Sequence, residues 1–209
     1  MGAIAVITGP AVEPVTLFEA KVHLRVTTDD EDVLLAALIR AARVRCEQHT
    51  RRAFVTQTIR YTTDEMPEFD GDWVTSERSV WADVELPRPP FRELVAVSYA
   101  TDTTDAIPLT PGSYRMSLGG EEPSRLMLRG PFIQTLPREF DALTVEYTAG
   151  YGDRGIDVPD PIRQAVLVTV ASMYEDREGG QIPTGQTAGD VALPALARQL
   201  LAGYRVVYL

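Results

Sequence analysis

The residues of this chain that could do chemistry are 30 carboxylates, two histidines and one cysteine in 209 residues. Catalysis by carboxylates needs one pair held across a scissile bond. Nothing in the pattern selects two of the 30, so a carboxylate-dependent hydrolase stays open as an alternative without a candidate residue. The densest acidic run is Asp29-Asp30-Glu31-Asp32. It lacks the glycine and the ligand spacing of a calcium loop. It reads instead as carboxylates at a helix N-terminus, where they offset the macrodipole. His23, His49 and Cys46 show no grouping that would hold zinc. No cysteine–histidine pair has a third orienting group, and no serine sits in a nucleophile elbow. Gly119-Gly120 adjoins Glu121-Glu122, which would repel a phosphate. The expectation is no catalytic residue, no metal ligand, no cofactor and no enzyme.

Composition narrows the classes further. An apolar fraction of 44% is enough for a real core. A net charge of −10 argues against binding nucleic acid through its phosphates, which needs Lys and Arg in excess. An acidic surface near DNA would keep the polymer from sticking. With Cys46 as the single cysteine, no intrachain disulfide forms. Residues 1–15 carry no positive n-region and are interrupted by Pro10 and Pro14, so they read as an extended arm and not as a signal peptide. No apolar stretch reaches the ~20 residues that span a bilayer.

The elements follow from spacing. Thr16-Leu17-Phe18-Glu19 is a capping box opening a short helix to about Leu24. A second helix runs from about Glu31 to Thr50, ~30 Å at ~1.5 Å per residue. Leu35, Leu38, Ile39, Ala42 and Cys46 form its buried stripe; Ala36, Arg40, Arg43 and Glu47 form its wet face. His49 ends it, where the dipole favours a cation. From Ala53 the period changes to two. Six segments alternate: around Ile59, Val84-Leu86, Val95-Val97-Tyr99, Tyr114-Met116-Leu118, Leu126-Leu128 and Leu143-Val145-Tyr147. Pro/Gly/Asp-rich turns separate them, which describes an antiparallel β-domain. Pro87-Arg88-Pro89-Pro90 is a connection, and 64–79 is an acidic loop holding Trp73.

The third helix is expected from Pro161 to about Arg177, N-capped by Asp160 and stopped by Gly179-Gly180. It is apolar nearly all round from Ala165 to Tyr174, so it must be covered on several sides. One way is a wall against a second copy, with Ile162, Val166, Val170, Met173 and Tyr174 as subunit-interface residues. A Gly/Pro/Thr/Gln-rich connector, 179–191, leads to a last helix over 193–201. The β-prone tail Tyr204-Arg205-Val206-Val207-Tyr208-Leu209 can pack on its own fold or add to a neighbour's sheet or groove. The architecture expected is α+β: a helical bundle from both chain ends, 1–52 and 153–209, with the antiparallel β-domain 53–152 inserted.

With both ends read, the ordered set of segments resembles the head–tail connector, or adaptor, family of long-tailed bacteriophages and gene transfer agents. The segments are Leu17 to Val26, Asp29 to Asp32, Arg51-Arg52-Ala53 with Thr56-Gln57-Thr58, Leu86 to Pro90, Tyr147 to Gly152, Val158 to Ala165, and Tyr174 to Glu178. The resemblance implies a structural protein of the particle neck, assembled in the bacterial cytoplasm. It implies a ring, typically a dodecamer, docked under the portal protein. Such a ring extends the DNA channel without specific DNA binding and receives a stopper or tail-terminator protein. A neck stopper or tail-terminator ring is the alternative within the same class. Taken with the β-prone tail, the resemblance assigns portal binding to Tyr204, Arg205, Val206, Val207, Tyr208 and Leu209, joined by the 179–191 connector. Neither a membrane nor a cofactor is implied.

Overall fold

In a computed structural model, residues 2–64, 81–117, 120, 122–129, 138–176 and 193–207 are described. Trp73, Leu118, Gly119, Glu121, most of the 64–79 loop, the 179–191 connector, Tyr208 and Leu209 lie outside them. The fold is mixed α+β, and the chain divides into two compact units. One comprises Met1–Gly9 with Thr56–Gly150, the other Pro10–Val55 with Tyr151–Leu209. The first nine residues therefore group with the strands, although the sequence had placed them with the helices.

The β-unit holds β1 (Ala3–Thr8), β2 (Gln57–Thr63), β3 (Trp81–Glu85), β4 (Phe91–Tyr99), β5 (Ile107–Pro108), β6 (Tyr114–Ser117), β7 (Arg125–Arg129) and β8 (Leu143–Ala149). A five-stranded sheet has the order β1-β2-β8-β4-β5, and a three-stranded sheet the order β3-β7-β6. Each of the six alternating segments contributes a strand, although β3 stops at Glu85 and Leu118 lies outside the described residues. The arm of the sequence reading becomes β1, which pairs antiparallel with β2. Strand β8 is central and alternates strictly: Leu143, Val145, Tyr147 and Ala149 are buried. The Tyr147 hydroxyl donates to the Pro87 carbonyl, which gives this buried phenol its partner.

In β4 the expected face holds for two of its three residues. Val97 and Tyr99 are buried, but Val95 is 55% exposed. Pairing with β8 slips between Phe91 and Glu93 and again between Leu94 and Ala96. Each slip inserts one residue and flips the faces beyond it. Leu94 therefore stands opposite Tyr147, and Val95 is turned out.

The helical unit holds α1 (Leu17–Leu24), α2 (Asp32–Thr50), α3 (Asp160–Glu175) and α4 (Ala195–Leu201). The capping box at α1 is complete. The Glu19 N–H donates to Thr16 Oγ1 at 3.2 Å, and the Thr16 N–H donates to Glu19 Oε2 at 2.8 Å. Helix α3 begins one residue early, so Asp160 lies in its first turn and makes no cap bond. It instead accepts from Arg163 at 3.3 Å. Helix α3 ends at Glu175, before the glycines that had been expected to stop it. Its core partners are Ala20 from α1, Ile39, Ala42 and Cys46 from α2, Ala197 and Leu201 from α4, and Phe54 and Val55. Gly155 permits a close crossing, since a Cβ there would stand 2.7 Å from the Glu13 carbonyl oxygen.

Candidate functional site

The surfaces available for assembly are best approached from what the helical unit keeps for itself. Arg43 and Glu47, expected on the wet face of α2, are buried. Arg43 donates through Nε to Glu13 at 2.8 Å and through a terminal nitrogen to Glu47 Oε2 at 2.8 Å. The other Glu47 oxygen accepts the Phe54 N–H at 2.9 Å. This ionic node ties the segment before α1, the end of α2 and the chain after it. The charges are paired and hydrogen-bonded, the condition under which burial is tolerated.

The root of the C-terminal tail is fixed next to that node. Tyr204 is half-buried against the core, and its carbonyl accepts from Arg52 Nε at 2.5 Å. Val206 is 4% exposed, and its N–H donates to the Thr50 carbonyl at 2.9 Å. Thr50 ends α2, so the tail satisfies a carbonyl that the helix itself leaves without a partner. Of the residues assigned to portal binding, Arg205 and Val207 are exposed, and Val206 is not. Tyr208 and Leu209 lie outside the described residues.

The proposed subunit wall on α3 is corrected in part. Ile162, Val166 and Val170 are fully buried in the chain's own core. Helices α1, α2 and α4 supply the covering that the sequence left open, so these side chains are not available to a second copy. Met173 and Tyr174 are half-buried, and the Tyr174 hydroxyl donates to Glu31. The apolar side chains that do face outward include some on α1 and at the start of α2. Phe18 (74% exposed) and Val22 stand one turn apart on α1, and Val33 is 86% exposed at the start of α2. Sequence reasoning missed them because it assigned apolar residues on α1 to no face and left Val33 off both faces of α2.

The chemistry-bearing residues are accounted for structurally. Among the described residues, no group of three or more His, Cys, Asp or Glu could hold a metal. The Asp29–Asp32 run receives its cation from the chain, since Lys21 Nζ lies 2.5 Å from Asp29 and 2.8 Å from Asp32. Cys46 is buried, 3.7 Å from Thr169 Oγ1, and burial pushes its thiol up to about 11. A thiol-specific reagent at pH 8 is therefore expected to leave the folded chain unlabelled and to label it in denaturant; rapid native labelling would contradict this placement.

His49 differs from expectation. Burial lowers its pKa below 6.5, and the charges of Arg205 and Arg198 lower it further. It is the neutral ring that suits this helix end. The unfolded chain takes up the proton first, so this contribution is whole above pH 6.5 and is lost as pH falls through and below it. Melting temperature is expected to decline over that window in the parent chain and less steeply in His49→Gln. Equal slopes would contradict it.

Comparison with known proteins adds the following. Residues 14–74, which include α1 and α2, match a family model described as phage gp6-like head-tail connector protein. This is the family that the sequence resembles. No curated protein matches the chain. Similar solved structures come from gene transfer agent particles. One is a chain of the virion of a native particle, with TM-score 0.71 and 21% identity, covering 99% of this chain and 96% of that chain. A chain from the neck of an empty particle, computed with C6 symmetry, has TM-score 0.72 at 21% identity and covers 99% and 97%. A chain from the neck of a native particle, computed with C12 symmetry, has TM-score 0.71 at 19% identity with the same coverage. At these identities the likeness is one of fold. The matched family is described as a head-tail connector, and these neighbours are chains of gene transfer agent particles, two of them from neck structures.

Proposed function

We propose that this chain is a head–tail connector, a structural protein of the neck of a phage or gene transfer agent particle. The observation that carries the reading is the connector-family match over residues 14–74. The fold shared with gene transfer agent neck chains supports it along the whole length. The chain acts by assembly. Copies form a ring, a dodecamer by analogy with the twelvefold neck, docked under the portal protein. The ring prolongs the DNA channel, and the net charge of −10 lets DNA pass without binding.

The portal partner is met by the end of the tail, residues 207–209 with Arg205, assisted by the 179–191 connector. Tyr204 and Val206 set the root from which that end leaves. Outer loops of the β-unit receive the stopper or tail-terminator protein. Met173 and Tyr174 remain at the subunit interface, joined by Phe18, Val22 and Val33, whose exposure a neighbouring copy would relieve. Assembly takes place in the bacterial cytoplasm.

A producing strain lacking this chain is expected to accumulate filled heads and separate tails. Addition of the purified chain is expected to restore joining. Tailed, infectious or transfer-competent particles made in its absence would contradict the reading.

A further inference from the structure

The five-stranded sheet ends in two different edges, and neither is closed among the described residues. At one edge, every residue of β1 is exposed, including Ile4, Val6 and Ile7. Its sequence AIAVIT carries neither charge nor proline, the devices that keep natural edge strands from pairing. At the other edge, β5 covers only Ser98 and Tyr99 of β4, and the Leu109 N–H after it donates to the Val97 carbonyl at 2.8 Å. The nine residues of β4 less those three leave six, 91–96, against the six of β1. Within that stretch Arg92, Glu93, Val95 and Ala96 are exposed.

We propose that β1 of one copy pairs antiparallel with the open stretch of β4 in the next copy, so that the sheet continues from subunit to subunit around the ring. The proposal rests on the connector reading, which requires copies in a closed ring. Direction supports this occupant. Strands β1, β2, β8 and β4 are each antiparallel to their neighbour. With four strands alternating, β1 and β4 run in opposite senses. A copy rotated about an axis along the strands keeps those senses and brings its β4 antiparallel to the first copy's β1. Because the two edges differ, the contact is head-to-tail, the type that closes into rings of more than two members. Pairing of β1 with β1 would instead give a twofold dimer with both β4 edges left open. The two bulges in β4 shorten the continuous ladder, so the contact is weak between two copies and is sustained by cyclic closure.

The test is cross-linking on connector-bearing heads, where copies are held in place. Val6→Cys and Val95→Cys are combined in one chain and treated with a short bis-maleimide. Buried Cys46 stays silent. Both substituted side chains are exposed in the free chain, so folding is expected to be unchanged. The expected result is a ladder of covalent multimers from the double variant and monomers from each single variant. Monomers from the double variant on tailed heads would overturn the edge contact while leaving the connector reading intact. Dimers from Val6→Cys alone would also overturn it. Failure of the parent chain to join heads would remove the connector reading and this proposal together. As a second measurement, Ile4→Lys with Val6→Lys is expected to keep the parent melting temperature and to lower head occupancy at least tenfold. Unchanged occupancy would count against the edge contact.

Discussion

Glu47→Ala is expected to destabilise the chain by about 3–5 kcal/mol, the range for breaking a buried ion pair by removing one partner. The Glu47 side chain is 3% exposed and that of Arg43 10%. Removing the carboxylate leaves the Arg43 guanidinium with Glu13 alone, and leaves the Phe54 N–H, which now donates to Glu47, without that acceptor. An unsatisfied buried donor costs about 1–3 kcal/mol by itself. Glu47→Gln keeps an oxygen for Phe54 but forfeits the charge opposite Arg43, so it is expected to fall between the parent and Glu47→Ala. Arg43→Met combined with Glu47→Leu removes both charges and is expected to recover part of the loss, since apolar replacement of a whole buried pair is often tolerated. Urea-unfolding midpoints of the four chains measure this directly. A Glu47→Ala chain within about 1 kcal/mol of the parent would show that the node does not hold the unit together.

The second large effect is functional. Removal of residues 207–209 is expected to leave the melting temperature unchanged and to reduce joining to portal-bearing heads to background. The cut is placed after Val206 for a physical reason. Val206 is buried and its N–H closes on the Thr50 carbonyl. A deletion from Arg205 would therefore also strip a core side chain, worth about 1.5–3 kcal/mol, and free a helix-end carbonyl. Loss of joining by that longer deletion could not be separated from loss of fold. Binding of the 207–209 deletion to heads, read by co-sedimentation, decides the matter: parent-level binding would remove the tail end from the portal contact.

Local features were legible in the sequence because their causes are local. Thr16 and Glu19 lie three residues apart and cap α1 with no outside help. Leu35, Ile39, Ala42 and Cys46 recur at helical spacing and are all buried. The strict alternation of β8 survives because that strand has a partner on each side. The failures come from contacts across long stretches of chain. Arg43 and Glu47 fall on the polar stripe of α2, and periodicity cannot know that Glu13 and Phe54 arrive there to pair with them. Val95 obeys the period of two until a bulge, which has no glycine to announce it, reverses its face. Helix α3 is apolar enough for either a core or an interface, and only the positions of α1, α2 and α4 decide for the core at Ile162, Val166 and Val170. Residues 3–8 have strand-like composition, yet their separation from β2 in sequence hid the pairing. The site, being a set of surfaces, was legible only as a resemblance of ordered motifs.

We propose that this molecule works as a closed ring of copies set between head and tail. Electron microscopy of the purified chain mixed with its portal assembly addresses it most directly. The claim predicts a ring of this chain seated on the narrow end of the portal, coaxial with its channel and leaving that channel open. Portal assemblies that stay bare at saturating chain, or single copies scattered off the axis, would contradict it.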